Sequence, residues 1–304
     1  MTTTLLQPGQ IEAAAGRIPE LRLPPADLFL TRAQRLEQLS ERHTLDDYLR
    51  FIARLARAQQ DRLDASPEEE LPSPERLAQC REYRMPPLAP AGLTRPPGWR
   101  DTARHLARAM LPDLPAAGQA ALQPILEGED AWLDEQANHL FEGDLTRLNA
   151  ATAPLIGAAL QVHWVRLARQ LDPVQVARPE HPNLCPVCGS HPVSSVVRIG
   201  GAENGLRYLH CALCASEWHV VRAKCSNCDN TRGIGYYHVE GGDNVVRAES
   251  CPECKTYLKI VQQDKDPLAD PVADDLATLA LDWLMDDTGY AKSGINWYLV
   301  QGQF

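Results

Sequence analysis

Cys185-Pro186-Val187-Cys188-Gly189 and Cys211-Ala212-Leu213-Cys214 are followed by Cys225-Ser226-Asn227-Cys228 and Cys251-Pro252-Glu253-Cys254. The spacing of these four turns is more informative than their number. Twenty-two residues separate Cys188 from Cys211, and twenty-two separate Cys228 from Cys251. A shift of forty residues lays the first four cysteines on the second four and carries Gly201, Asn204 and Arg207 onto Gly241, Asn244 and Arg247. The chain therefore holds a tandem repeat of one small module, each copy bearing four thiols.

Two cysteines three apart in a tight turn aim both sulfurs at one point, which is half of a tetrahedral site. A second turn, brought back by a β-hairpin, supplies the other half. Thiolate sulfur is soft, and four of them in a tetrahedron select zinc or iron over magnesium or calcium. Pro186 fixes the backbone at the start of the first turn, and Gly189 is free to take the positive φ that lets amides approach the sulfurs. The fourth turn keeps its proline but has Lys255 in place of glycine.

A disulfide framework is the competing reading, and it requires export or redox catalysis. Met1 to Gln10 shows no basic patch followed by an apolar run, and no stretch approaches the roughly 18 apolar residues of a membrane span. The expectation is a cytoplasmic protein with no membrane insertion, where clustered thiols stay reduced and hold metal. A thioredoxin-type motif normally occurs once, beside a βαβ pattern. Here Cys-x-x-Cys occurs four times in a ribbon rich in Gly and Val. Cys80 lies outside the repeat and reads as a bland or buried thiol. His181, His191, His210, His219 and His238 lie near the modules, but eight thiols already fill two four-coordinate sites.

The formal charge of −10 points away from nucleic acid. From His181 to Gln262 there are eight basic and seven acidic side chains, and eight thiolates outweigh two divalent ions, so the modules are net negative. They lack the basic stripe of a nucleic-acid ribbon.

Residues 1 to about 175 read as helical. Thr31 opens a run through Leu36 and Leu39. Thr44 is placed to cap a second helix whose face carries Leu45, Tyr48, Leu49, Ile52, Leu55 and Ala56. From Asp64 to Trp99 eight prolines predict an extended crossing segment with one short helix, and helical patterning resumes near Asp101. The longest run, Ala151 to Leu171, places Ile156, Leu160, His163, Trp164, Leu167 and Leu171 on one stripe. Val193–Ile199 with Leu206–His210, and Gly235–Val239 with Val245–Ala248, read as hairpin arms. Trp218 reads as core welding the two modules. After Lys265 seven aspartates accompany one amphipathic helix ending near Gly289, and read as its solvated face.

The order Cys185-Pro-Val-Cys-Gly, Arg207-Tyr-Leu-His-Cys-Ala-Leu-Cys, Glu217-Trp218, Arg222-Ala-Lys-Cys-Ser-Asn-Cys and Cys251-Pro-Glu-Cys resembles the FdhE family of formate dehydrogenase accessory proteins. Arg32-Ala33-x-Arg35-Leu36, Tyr48-Leu49-x-Phe51 and the acidic C-terminal helix are similar too, so the resemblance spans essentially the whole chain. It implies a non-catalytic assembly factor for respiratory formate dehydrogenase. The implied partner is the catalytic subunit of that enzyme, which leaves by the twin-arginine route. The implied cofactors are two iron ions in rubredoxin-type Fe–S4 sites, with zinc as the alternative. The ligands carried over are Cys185, Cys188, Cys211, Cys214, Cys225, Cys228, Cys251 and Cys254.

The expected architecture is an α+β multidomain chain. An all-α helical N-terminal domain (1–178) precedes two tandem rubredoxin-like, zinc-ribbon-like β modules (179–222 and 223–262), then an acidic C-terminal helix and tail (263–304). Sequential ligand sets, one per module, fit the equal loops and the forty-residue repeat better than a cross-braced pairing of the first turn with the third. Two rival functions remain open to test. One is a structural double zinc ribbon that binds another protein or nucleic acid. The other is a thiol–disulfide exchanger, which would need a free, low-pKa pair.

Overall fold

A computed structural model describes residues 18–65 and 69–299. The reading of Met1 to Gln10 as free of an export signal concerns residues outside this set. Seven helices occupy the N-terminal part: α1 (Leu28–Ser40), α2 (Asp46–Ala65), α3 (Pro74–Glu82), α4 (Gly98–Met110), α5 (Ala116–Glu127), α6 (Asp130–Glu142) and α7 (Ala153–Arg169). Apolar spacing explains the long ones. On α4 the buried side chains Trp99, Ala103, Leu106, Ala107 and Met110 recur every three or four residues and make one face. Asp46 and Asp47 sit in the positive first turn of α2. The proline-rich crossing does carry one short helix, α3, with Pro74 in its first turn and the Ser73 hydroxyl accepting from the Arg76 amide. Helix α4 begins at Gly98, three residues before the expected Asp101.

Helix α7 departs from the single-stripe expectation. It is buried almost all round, because α2, α4 and α6 pack against it and the C-terminal turn Trp297–Leu299 closes another side. A Cβ at Gly157 would meet Trp297 at 3.3 Å, which marks how closely that turn approaches. Two of its polar side chains find partners inside the core: the Trp164 indole donates to the Leu88 carbonyl and the Gln161 amide to the Ala212 carbonyl, both at 2.8 Å.

The β part is one sheet. Its strands are β1 (Leu21–Arg22), β2 (Pro192–Val197), β3 (Arg207–Cys211), β4 (Glu217–Val220), β5 (Gly235–Tyr237), β6 (Val246–Cys251), β7 (Thr256–Gln262) and β8 (Ala291–Lys292). Their order is β1-β4-β3-β2-β7-β6-β5, with β8 also paired to β7. Each module is a three-stranded antiparallel meander, β2-β3-β4 and β5-β6-β7. The forty-residue shift maps Glu217–Val220 of β4 onto β7, so the repeat extends to a third strand beyond the expected hairpins. The modules are not free-standing: β2 pairs in parallel with β7, Val196 opposite Val261, and fuses both meanders. Arg207 and Glu249, both buried, seal the join with an ion pair at 2.8 Å.

Trp218 does a different job from the one expected. It lies on β4, away from the second module, where its indole donates to the Pro182 carbonyl at 2.8 Å and its backbone faces Leu21 of β1. The weld between modules is the β2–β7 pairing instead.

The C-terminal region is also corrected. The single helix is two short ones, α8 (Ala273–Ala277) and α9 (Leu279–Asp286), broken at Thr278, followed by β8. Three of its aspartates are buried rather than solvated. Arg32 approaches Asp270 at 3.3 Å, and Arg35 meets Asp274 at 2.6 Å and Asp266 at 2.7 Å. Asp275 is fully buried between Lys259 of β7 at 3.2 Å and Lys292 of β8 at 2.6 Å, and the Asn296 amide donates to it at 3.0 Å. Such pairs sit where they do because a desolvated charge must have a partner.

Two outcomes follow from these pairs. Asp275→Ala leaves the Lys259 ammonium buried beside one remaining half-screened carboxylate, and should cost about 3–5 kcal/mol in urea unfolding. Replacing both partners, K259M with D275L, should recover most of that loss. Burial alone would raise the Asp275 carboxyl, but Lys259 and Lys292 more than offset it and hold it at about 2. Glu217 is likewise held at about 2, with Arg198 and then His210 opposing its burial. A depressed carboxylate stabilises the fold above its unfolded value and loses that contribution as pH falls through the folded one. The contribution of Asp275 and Glu217 to stability should therefore be lost between pH ~4.5 and ~2, an acid limb that D275N shortens.

Candidate metal centres

Three of the four Cys-x-x-Cys turns close with the same hydrogen bond. The amide of the residue after the second cysteine donates back to the carbonyl of the first, as in Gly189 to Cys185 (2.8 Å), Asp229 to Cys225 (3.1 Å) and Lys255 to Cys251 (3.0 Å). That residue takes a left-handed backbone in all four turns: Gly189 (φ 77°), Ala215 (56°), Asp229 (64°) and Lys255 (55°). Only the first is a glycine. The other three accept a backbone that costs roughly 1–2 kcal/mol for an L-residue, so the turn geometry is imposed by what the sulfurs do together.

The structure gathers the eight thiols into two groups: Cys185, Cys188, Cys211 and Cys214 in one, and Cys225, Cys228, Cys251 and Cys254 in the other. Within each group every sulfur lies within 4.8 Å of the others. The contacts across turns are 3.6 Å (Cys185–Cys214), 3.4 Å (Cys188–Cys211), 3.8 Å (Cys225–Cys254) and 3.6 Å (Cys228–Cys251). A disulfide needs about 2.0 Å. A tetrahedron with metal–sulfur bonds of about 2.3 Å has edges of roughly 3.8 Å, so the donor set and its size fit one soft ion per group. No histidine joins either group among the described residues. The cross-braced arrangement, which would mix the first and third turns, is not the one formed.

The two groups differ in surroundings. Cys185, Cys188, Cys211 and Cys214 are at most 1 % exposed and belong to the main core, together with Leu160, Trp164 and Trp218. Burial and neighbouring sulfurs push Cys185 and Cys211 well above the usual thiol range. Burial opposes ionisation of Cys188 too, yet hydrogen bonds from Cys185, Cys211 and Cys214 pull it well below. A bound cation would take the place of the thiol protons in this cage. In the second group Cys228 is exposed and Cys254 half-buried. Partial burial works against Cys254 as well, but the Thr256 hydroxyl, 3.1 Å away, and the Asn227 amide hold its thiol at about 6. Cys80 lies on α3, buried, and belongs to neither group.

The first module also holds a polar cluster that spacing did not reveal. His210 Nδ1 and Glu217 Oε1 are 2.9 Å apart, both buried, and Arg198 and Arg22 close on the same carboxylate. The adjacency of His210 to Cys211 was the only hint of this in the sequence.

The chain is of the mixed helix-and-sheet class, with two four-thiol groups on its sheet that could each bind a metal ion. Three family models cover it in succession: "FdhE, N-terminal" over residues 18–180, "FdhE, central domain" over 184–222 and "FdhE, C-terminal domain" over 223–299. A "Protein FdhE homolog" of Pseudomonas aeruginosa is 44% identical over 307 residues, covering 99% of both chains. "Protein FdhE" of Salmonella arizonae is 40% identical over 291 residues, covering 95% of this chain and 94% of the relative. The crystal structure of the FdhE protein from Pseudomonas aeruginosa superimposes with a TM-score of 0.82 at 40% identity, over 94% of this chain and 100% of that one. The chain belongs to the FdhE family.

The unequal burial has a direct readout. In reduced, metal-free protein at pH 7, brief iodoacetamide treatment should modify Cys254 and Cys228 well before any cysteine of the first group or Cys80. Peptide mass spectrometry reads the order, and Cys188 labelling as fast as Cys254 would contradict it.

Proposed function

We propose that this protein is a non-catalytic, cytoplasmic assembly factor for formate dehydrogenase that engages the enzyme's catalytic subunit before export. In this reading Cys185, Cys188, Cys211 and Cys214 hold one metal ion, and Cys225, Cys228, Cys251 and Cys254 hold a second. The observation that supports it best is the collection of all eight turn thiols into two four-sulfur cages, in a chain related along 99% of its length to an FdhE homolog. Among the described residues no helix is long and apolar enough to cross a membrane.

The cages suit different tasks. Iron, the ion we favour, supplies a one-electron couple when bound to four thiolates, whereas zinc supplies a crosslink alone. The first cage lies inside the main core, where its sulfurs tie the first and second turns to α7 through Gln161 and the Ala212 carbonyl. The second presents Cys228 at the surface, and Tyr236 and Tyr237 of β5 in the same module are exposed too. A partner protein approaching that end of the sheet meets sulfur directly, so the second cage is placed for contact and the first for structure. A structural double zinc ribbon is the second reading, favoured by the burial of the first cage.

Protein purified anaerobically should carry two metal ions per chain, with thiolate-to-iron charge-transfer bands on oxidation. C185S/C188S should lose one ion and lower the melting temperature of the whole protein. C225S/C228S should lose the other ion with little change in the helical domain, yet fail to restore formate dehydrogenase activity to cells lacking the protein. Normal maturation by protein stripped of both ions would remove metal from the mechanism and leave an adaptor.

A further inference from the structure

A cleft of about 780 Å³ opens where three parts of the chain meet: the loop before α4 with the end of α6, the first Cys-x-x-Cys turn, and the segment after β8. Its walls are largely apolar, with Phe141, Leu184, Ile295 and Trp297, and Cys188 of the first cage lies along it. The cleft falls within the range of about 300–1,000 Å³ typical of ligand sites, and domain junctions are where such sites concentrate.

Arg95 is the informative residue in this cleft. Its guanidinium carbon lies 5.6 Å from the Phe141 ring centre and 6.0 Å from that of Trp99. One terminal nitrogen donates to the Asn138 side-chain oxygen at 2.7 Å, but Nε is buried with no acceptor. Its one ion pair among the described residues is with Asp134 at 4.0 Å, and Arg100 already holds that carboxylate at 3.4 Å. Burial pushes Arg95 below its ordinary value, Asp134 resists the push, and the neighbouring Arg100 adds to it. A planar cation stacked on rings, desolvated and short of negative charge, is the usual receptor for a carboxylate. Lys292 also lines the cleft but is committed to Asp275, which leaves Arg95 as the uncompensated cation there.

The rim says what kind of molecule carries that carboxylate. Ile295 is 49 % exposed, and Asn138 and Glu142 are exposed too. An occupant is therefore only half enclosed and continues past the cleft, as a stretch of polypeptide does. The chain as a whole carries −10, so an acidic segment is repelled by most of the surface and accepted at Arg95. We propose that this cleft receives a carboxylate-bearing, partly apolar segment of the formate dehydrogenase catalytic subunit, anchored by Arg95 and laid against the first thiol cage. The proposal deepens the assembly-factor reading and rests on it.

Purified catalytic subunit is the probe, titrated against the full-length, metal-loaded protein by biolayer interferometry at low and high salt. Wild type should bind, more weakly as salt rises. R95E should weaken binding roughly thirtyfold or more while keeping both metal ions and the wild-type melting temperature. I295D, at an exposed rim position, should weaken binding as well, and it decides the matter should R95E fold poorly. Absence of any wild-type binding would overturn the client reading and the cleft with it. Wild-type affinity in folded I295D, or in folded R95E, would overturn the cleft alone and leave the client reading standing.

Discussion

Four sulfurs at the centre of the main core set the terms for everything around them. Cys185, Cys188, Cys211 and Cys214 pack among Leu160, Trp164, Leu213 and Trp218 with almost no exposure. Four thiols that close cannot all ionise in an apolar interior, and four protonated ones are weak partners for one another. A cation reconciles burial with proximity, because it allows each sulfur to ionise while cancelling most of the charge. The left-handed backbone at Ala215 and Lys255 belongs to the same logic, since no local preference of those residues asks for it.

Repetition gave the two cages equal spacing, and the fused sheet gave them unequal environments. When β2 pairs in parallel with β7, the first module is caught between the second module and β1, with α7 packed over its turns. The second module keeps one open side at β5. Identical ligand spacing then yields one cage sealed in the core and one with Cys228 at the surface. Substitutions within the repeat follow this asymmetry: where β4 has Glu217 and Trp218 facing the N-terminal segment, β7 has Tyr257 and Leu258 facing β6 and β8.

How much of this could be read in advance depends on how local each feature is. Both four-thiol sets were legible because ligand spacing and hairpin length are encoded within thirty residues of sequence. Helices α2 and α7 were legible because a periodic apolar face needs no knowledge of its partner. Strands β4 and β7 were missed, although the forty-residue shift maps one onto the other, because β4 has only four residues and β7 is buried on both faces and so shows no alternation. The aspartates after Lys265 misled for a related reason. Periodicity places Asp270, Asp274 and Asp275 on or near a helix, but it cannot show Arg32 and Arg35 arriving from more than 230 residues away. The same arginines stood in the segment that carried the family resemblance, where their role had no visible partner.

Those long-range ion pairs explain why the cleft at Arg95 and the first cage belong to one unit. Asp270 and Asp274 clasp α1, while Asp275 clasps β7 and β8, so the segment running to Trp297 is held at both ends of its path. Trp297 then closes on Gly157 of α7 and lies tilted against Phe141, ring centres 5.7 Å apart, forming one wall of the cleft. The opposite wall is the first Cys-x-x-Cys turn. Loosening the clasp therefore moves one wall, and emptying the cage loosens the other. In the proposed reading, an ion held by the first cage would act on a partner through the shape of the wall that Cys188 and its turn supply to the cleft.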